Sequence, residues 1–240
     1  MSPLSLHEYR HGVVYTPSTA DPAPQPNVED ETYLDSLGVK YIRITWLDYI
    51  NKPRYRVVPR AYFKKLLKSS RPGVSLAKAA LGLVSLELTP GFSGTGSYHY
   101  VFDPSSFRLA PYAPGHASMM GFFQEKTPSP QYGLVVPLCP RWILKRIVDK
   151  AQSVAGATYL VGFESEFILL KSTTQELVPV NLGDWSTSSK MQSGTIEYTV
   201  MEEIADCLVD AGIELQMHHP EAAPGQVGLA PTMCKCTDSD

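Results

Sequence analysis

The stretch from Thr158 to Leu170, TYLVGFESEFILL, constrains this chain more than any other. Its aromatic and branched residues read as a strand, in which successive side chains alternate between two faces. Glu164 and Glu166 then emerge on one side, with Cα atoms roughly 6.5–7 Å apart. Phe163, Ser165 and Phe167 take the other side, where the two rings can enter a core. Neighbouring carboxylates in an apolar strand repel each other and resist burial. Two arrangements satisfy that constraint. Either the face looks at water, where paired glutamates cost little, or a divalent cation such as Mg²⁺ or Mn²⁺, which prefers carboxylate oxygen, relieves the repulsion. The stretch alone leaves both open.

Around it the chain alternates helix and strand. Residues 140–156 predict a helix with Pro140 near its first turn, Ile143, Leu144, Ile147 and Ala151 inside, and Gly156 past its end. Residues 195–212 predict a second helix, with Ile196, Val200, Ile204 and Leu208 at four-residue spacing and Gly212 as its stop. A loop rich in Ser and Thr, with Trp185, precedes that helix, and IELQMHH (213–219) reads as the last strand.

The first half has a different texture. Residues 1–27 read as a mobile arm, because the Pro-, Ser- and Thr-rich run at 13–27 has no apolar period. A short helix closed by Gly38 leads into a strand at 39–48, with Ile42, Ile44 and Trp46 on one face. A turn through Asp48 returns the chain along RYRVV as a hairpin. Pro59 then opens a helix whose buried side is Tyr62, Phe63, Leu66 and Leu67. PGFSGTGS at 90–97 lacks the Gly-Lys-Ser/Thr ending of a phosphate loop and reads as a connection. Pro128, Pro130 and Pro137 are read as a boundary. The fold class is therefore α+β, with one domain at 28–132 and another at 138–240.

Composition narrows the function classes. A net charge of −3 with mixed signs offers no nucleic-acid or anionic-membrane surface. No stretch approaches the roughly 20 apolar residues that span a bilayer, and the N-terminus lacks a secretory pattern. Four cysteines, Cys139, Cys207, Cys234 and Cys236, are too few and scattered for a disulfide scaffold, which points to a reducing, cytoplasmic setting.

The second chemical segment is His218-His-Pro-Glu-Ala-Ala-Pro-Gly-Gln226. Glu221 follows a strand end, Gly225 permits close backbone approach, and Gln226 both donates and accepts hydrogen bonds. A plain polar turn with satisfied histidines fits the same residues. So does a zinc site of His218, His219, Cys234 and Cys236, although Cys-x-Cys beside paired histidines departs from structural-zinc spacing.

Taken together, Gly-x-Glu-x-Glu at 162–166 and His-x-Glu-x-x-x-Gly-Gln at 219–226 resemble the glutamine synthetase family. PRWILKR, RLAPYAPGHASMMGFF and ITWLDYINKPR extend the resemblance over about residues 30 to 230, and HPEAAPGQ is similar to the fungal glutamine-synthetase-like branch. The resemblance implies an N-terminal β-grasp domain followed by a catalytic domain of antiparallel sheet with helices. It implies Glu164, Glu166 and Glu221 as metal ligands, His219 and Gln226 as cofactor contacts, and Asp48 as an ammonium-site residue acting across a subunit interface. The cofactors would be ATP with Mg²⁺ or Mn²⁺. The partners would be glutamate, ammonia or another amine, and further copies of the chain in a ring. The implied activity is ATP-dependent amide formation at the γ-carboxylate of glutamate, with a non-catalytic regulatory or oligomerisation relative as the other reading. Beyond Gln226 the match fails: the family carries another metal-binding glutamate where this sequence has Gly228, and LAPTMCKCTDSD follows. A truncated, inactive catalytic domain is therefore the expectation.

Overall fold

The period-two pattern at the first strand decides how the fold begins. Helix α1 (Tyr33–Ser36) ends at Gly38, whose positive φ of 65° turns the chain into β1 (Tyr41–Leu47). Ile42, Ile44 and Trp46 are buried while their neighbours face outward. The chain returns antiparallel along β2 (Pro53–Pro59). This computed structural model describes residues 26–30, 32–174, 176–182, 193–231 and, for the backbone only, 234–235. The expected arm, apart from its last two residues, lies outside that set, as do Trp185 and Cys236.

Helix α2 (Arg60–Leu67) starts directly after Pro59 and packs against the hairpin through Phe63, with Leu66 and Leu67 half-buried. Tyr62 stays 55% exposed, against the reading of the sequence. The stripe at Phe63, Leu66 and Leu67 (i, i+3, i+4) already fills the contact.

The first half continues through β3 (Gly73–Ala77), α3 (Ala79–Gly82), and the short pair β4 (Leu83–Val84) and β5 (Glu87–Leu88). It then adds β6 (Ser97–Phe102), β7 (Arg108–Leu109), β8 (His116–Met119), β9 (Gly121–Ser129) and β10 (Gly133–Val135). Two four-stranded sheets result, ordered β2-β1-β8-β7 and β10-β9-β6-β3. The first is mixed, because β8 runs parallel to β1 with Tyr41 beside His116. Between the sheets Tyr100 is buried with both hydrogen-bonding needs met: its hydroxyl donates to Thr45 O and accepts from Gly121 N, each at 2.8 Å. Burial pushes that phenol's pKa up.

The prolines expected at the boundary lie in and just after the β9–β10 hairpin. Pro128 lies in a bulge of the β9–β10 hairpin, between the pairs Ser129–Gly133 and Gln124–Val135, where proline is tolerated because ladder hydrogen bonds are missing. The first core runs on to Val136 and Cys139 and meets Trp142.

Helix α4 (Pro140–Ala155) starts and stops as the sequence implies, with Pro140 in its first turn and left-handed Gly156 behind it. Its inner face does not follow the reading. No α4 residue is buried, and Leu144 and Ile147 are 38% and 58% exposed. The helix is held at its start instead. Trp142 Nε1 donates to Phe123 O at 2.9 Å, and Arg141 pairs with Asp103 at 2.8 Å.

The glutamate-bearing stretch is three short strands rather than one: β11 (Leu160–Val161), β12 (Ser165–Ile168) and β13 (Leu170–Ser172). After β14 (Val178–Pro179) come α5 (Ile196–Asp210), β15 (Leu215–Pro220), β16 (Gln226–Pro231) and β17 (Cys234–Lys235). Leu215–Pro220 is therefore not the last strand. The apolar run after Gln226 forms β16, the middle of the antiparallel sheet β12-β16-β15. Met201, Val227 and Leu229 form a second, small core, with Phe167, Ile204 and Leu208 against it, while Ile196 is exposed.

Candidate functional site

The sheet β12-β16-β15 builds the site by register. Glu166 pairs with Gly228, and Gly228 pairs with His219, so the three form one rank across the sheet. Residues paired across antiparallel strands share a face. The next rank, Phe167, Val227 and Pro220, faces the opposite way, and Val227 and Leu229 are buried in the small core. The apolar residues thus anchor one side and leave the polar rank open on the other.

On that open side Glu164, His219 and Glu221 converge. Each offers a ligand atom within 4.8 Å of the other two. Glu164 Oε1 lies 3.6 Å from His219 Nε2, and Glu221 Oε1 lies 3.1 Å from His219 Nδ1. The side chains are 50%, 32% and 21% exposed for Glu164, His219 and Glu221, so the group is open to ligands from solvent. Gly228 is the empty place in the rank. A Cβ there would lie 2.9 Å from Glu221 Oε1 and 3.3 Å from His219 Cε1. Two carboxylates and one imidazole make a donor set that suits a divalent cation.

Glu166 has a further partner. It is not in the converging group; its Oε2 accepts from Gln226 Nε2 at 2.8 Å. Gln226 Oε1 accepts from Ala223 N at 3.1 Å, so the amide is engaged at both ends. Gly225 stands at φ 70°, and a Cβ would come within 2.7 Å of Leu169 O, which requires glycine. Asn181, which no motif in the sequence marked, accepts from Gly225 N at 2.9 Å and donates to Glu197 Oε1 at 3.2 Å. It ties the turn after β15 to the first turn of α5.

Asp48 is buried in the β1–β2 turn. Its Oδ1 accepts from Ile50 N and Lys52 N, and its Oδ2 accepts from Arg54 Nε at 2.6 Å. Burial works to raise its pKa, but the hydrogen bonds from Lys52, Arg54 and Ile50 outweigh it and hold the carboxyl below its ordinary value. His218 lies on the anchored face in register with Leu229, away from His219. The side chains of Cys234 and Cys236, the other half of the zinc reading, lie outside the described residues. Among the described residues no helix is long and apolar enough to cross a membrane.

With this geometry in place, comparison with known proteins is informative. Residues 137–238 match the family described as glutamine synthetase, catalytic domain. Over 200 residues the chain is 32% identical to protein FluG of Emericella nidulans, covering 79% of this chain and 22% of that protein. It is 26% identical over 223 residues to γ-glutamylanilide synthase of an Acinetobacter species, covering 81% of this chain and 43% of that protein. A solved structure titled GmaS/ADP complex, conformation 1, superposes with a TM-score of 0.69 at 18% identity, over 87% of this chain and 44% of that one. This likeness concerns the fold. In all three cases the chain spans less than half of its relative's length.

Proposed function

From the premise that this chain belongs to the glutamine synthetase family, we propose that it forms the divalent-metal-binding part of an ATP-dependent glutamate–amine ligase centre. The convergence of Glu164, His219 and Glu221 within 4.8 Å carries this reading. Their donor set fits Mg²⁺ or Mn²⁺. Such a cation, when bound, neutralises charge on phosphate and carboxylate oxygens. Glu164, just before β12, and Glu221, just after β15, hold the position from two separate segments, and His219 stands between them. Gly228, having no side chain, lets Glu221 and His219 lie close against β16. Glutamate and an amine as substrates rest on the family and on the relative named for γ-glutamylanilide. The first half, with α2 packed across β1, β2 and β3, we read as the β-grasp domain.

Mn²⁺ titration of the purified chain, followed by isothermal calorimetry and by the electron paramagnetic resonance of free Mn²⁺, tests the reading. One ion is expected to bind, and Glu221→Gln and Glu164→Gln each weaken it by at least about tenfold. Wild-type chain that binds no Mn²⁺, or binds it unchanged after Glu221→Gln, overturns the proposal. Product analysis with ATP, glutamate and aniline or ammonia then reads whether γ-glutamyl amide forms.

A further inference from the structure

The carboxylate of Glu166 has a different partner from those of Glu164 and Glu221, and that partner is itself held in place. We infer that Gln226 is a positioning residue, which sets the carboxylate of Glu166 beside the Glu164–His219–Glu221 group; this rests on the metal-binding reading above. Three observations carry it. Gln226 is the first residue of β16 and pairs with Ile168, so its amide reaches along the sheet to Glu166, two residues back on β12. Its Nε2 donates to Glu166 Oε2 at 2.8 Å while its Oε1 accepts from Ala223 N at 3.1 Å, which leaves the amide one orientation. The turn that presents it is fixed from behind. Gly225 N donates to Asn181 Oδ1 at 2.9 Å, Leu169 N donates to Gly225 O at 2.8 Å, and Glu221 N donates to Gln226 O at 2.8 Å.

The last of these bonds joins the two halves of the site. The backbone of Gln226 places Glu221, a member of the metal group, and its side chain places Glu166. Gly228 lies in the rank between Glu166 and His219 with no side chain to block the approach. Glu166 keeps Oε1 clear of the Gln226 contact, available to a ligand or to a water on the cation. A carboxylate restrained in this way pays little rotamer entropy when a cation or its hydration shell arrives. Without Gln226 the half-open side chain of Glu166 swings freely and its charge is averaged over several positions.

The test is a double-mutant cycle on Mn²⁺ affinity in the full chain, with thermal stability measured alongside. Gln226→Leu keeps the bulk and removes both amide contacts. It is expected to weaken Mn²⁺ binding by about tenfold, the low end for an outer-shell partner. In the Glu166→Gln background the same change is expected to have no further effect, because Gln226 acts through that carboxylate. Equal losses from Gln226→Leu in both backgrounds overturn the inference, since they indicate a general structural role. So does unchanged affinity in Gln226→Leu when Glu221→Gln abolishes binding, and that outcome leaves the metal reading standing. A wild-type chain that binds no Mn²⁺ overturns both.

Discussion

The two halves of this molecule contrast in how much core supports them. Among the described residues, the first encloses nineteen buried core side chains, whereas the core of the second buries three, Met201, Val227 and Leu229. The site residues stand on the second. Its helix α4 keeps Leu144, Ile147 and Val154 exposed and is secured at its N-terminal turn by Trp142 and Arg141. Next to α5 a cavity of about 570 Å³, lined by Leu109, Tyr112, Ile204 and Leu208 among others, separates it from the first half. The order of the site therefore depends less on apolar burial than on directed hydrogen bonds, such as those of Asn181 and Gln226. Local opening is expected to be easiest where few apolar contacts hold the backbone.

The largest effect should come from the first core. Phe63→Ala is expected to cost about 3–5 kcal/mol by urea unfolding, because the ring is wholly buried. Val227→Ala, at about 1–2 kcal/mol, should by contrast speed amide exchange at 213–231 and leave β1 and β2 protected. Global unfolding by Val227→Ala would break the contrast and make the halves one cooperative unit.

Next comes the junction. Asp103→Asn removes the charge opposite Arg141, each side chain being 12% exposed, and is expected to cost about 2 kcal/mol. Exchange at the start of α4 reads whether that loss falls on the second half. Gly225→Ala follows, at about 1–3 kcal/mol, from its positive φ and the approach to Leu169 O. Mn²⁺ affinity should fall with it, since the turn presents both Glu221 and Gln226.

Asp48 gives the smallest effect and a pH signature confined to the first half. Its folded pKa is depressed, so its contribution is present above the ordinary carboxylate value, about 4, and is lost as pH falls through the folded value. Asp48→Asn is expected to cost about 1 kcal/mol at pH 7 and to flatten the acid limb of stability. A variant with an unchanged acid limb would assign that limb to other carboxylates.

Much of the local structure was legible in the residues. The alternation of Ile42, Ile44 and Trp46, Pro140 at the start of α4, and left-handed Gly38, Gly156 and Gly212 follow from steric and periodic rules that act within a few residues. The chemistry of Glu164, Glu221 and His219 was legible as types and spacing. Their roles were harder to read. Glu164 and Glu166 sit two apart, yet Glu164 joins the converging group and Glu166 bonds to Gln226, because the strand breaks before Ser165. The inner face expected for α4 failed because periodicity marks an apolar stripe but not what lies against it.

Sequence by itself determined the alternation of β1, the limits of α4, the stop after α5, and which side chains carry ligand chemistry. Tertiary structure alone decided that β8 lies parallel to β1 and that β16 enters between β12 and β15. It also decided that Gly228 stands between Glu166 and His219. The physical reason is range. Dihedral preference and capping are settled by neighbours along the chain, whereas strand partners are settled by which apolar faces remain to be buried once distant segments meet. The rank that gathers the site is a product of that second choice.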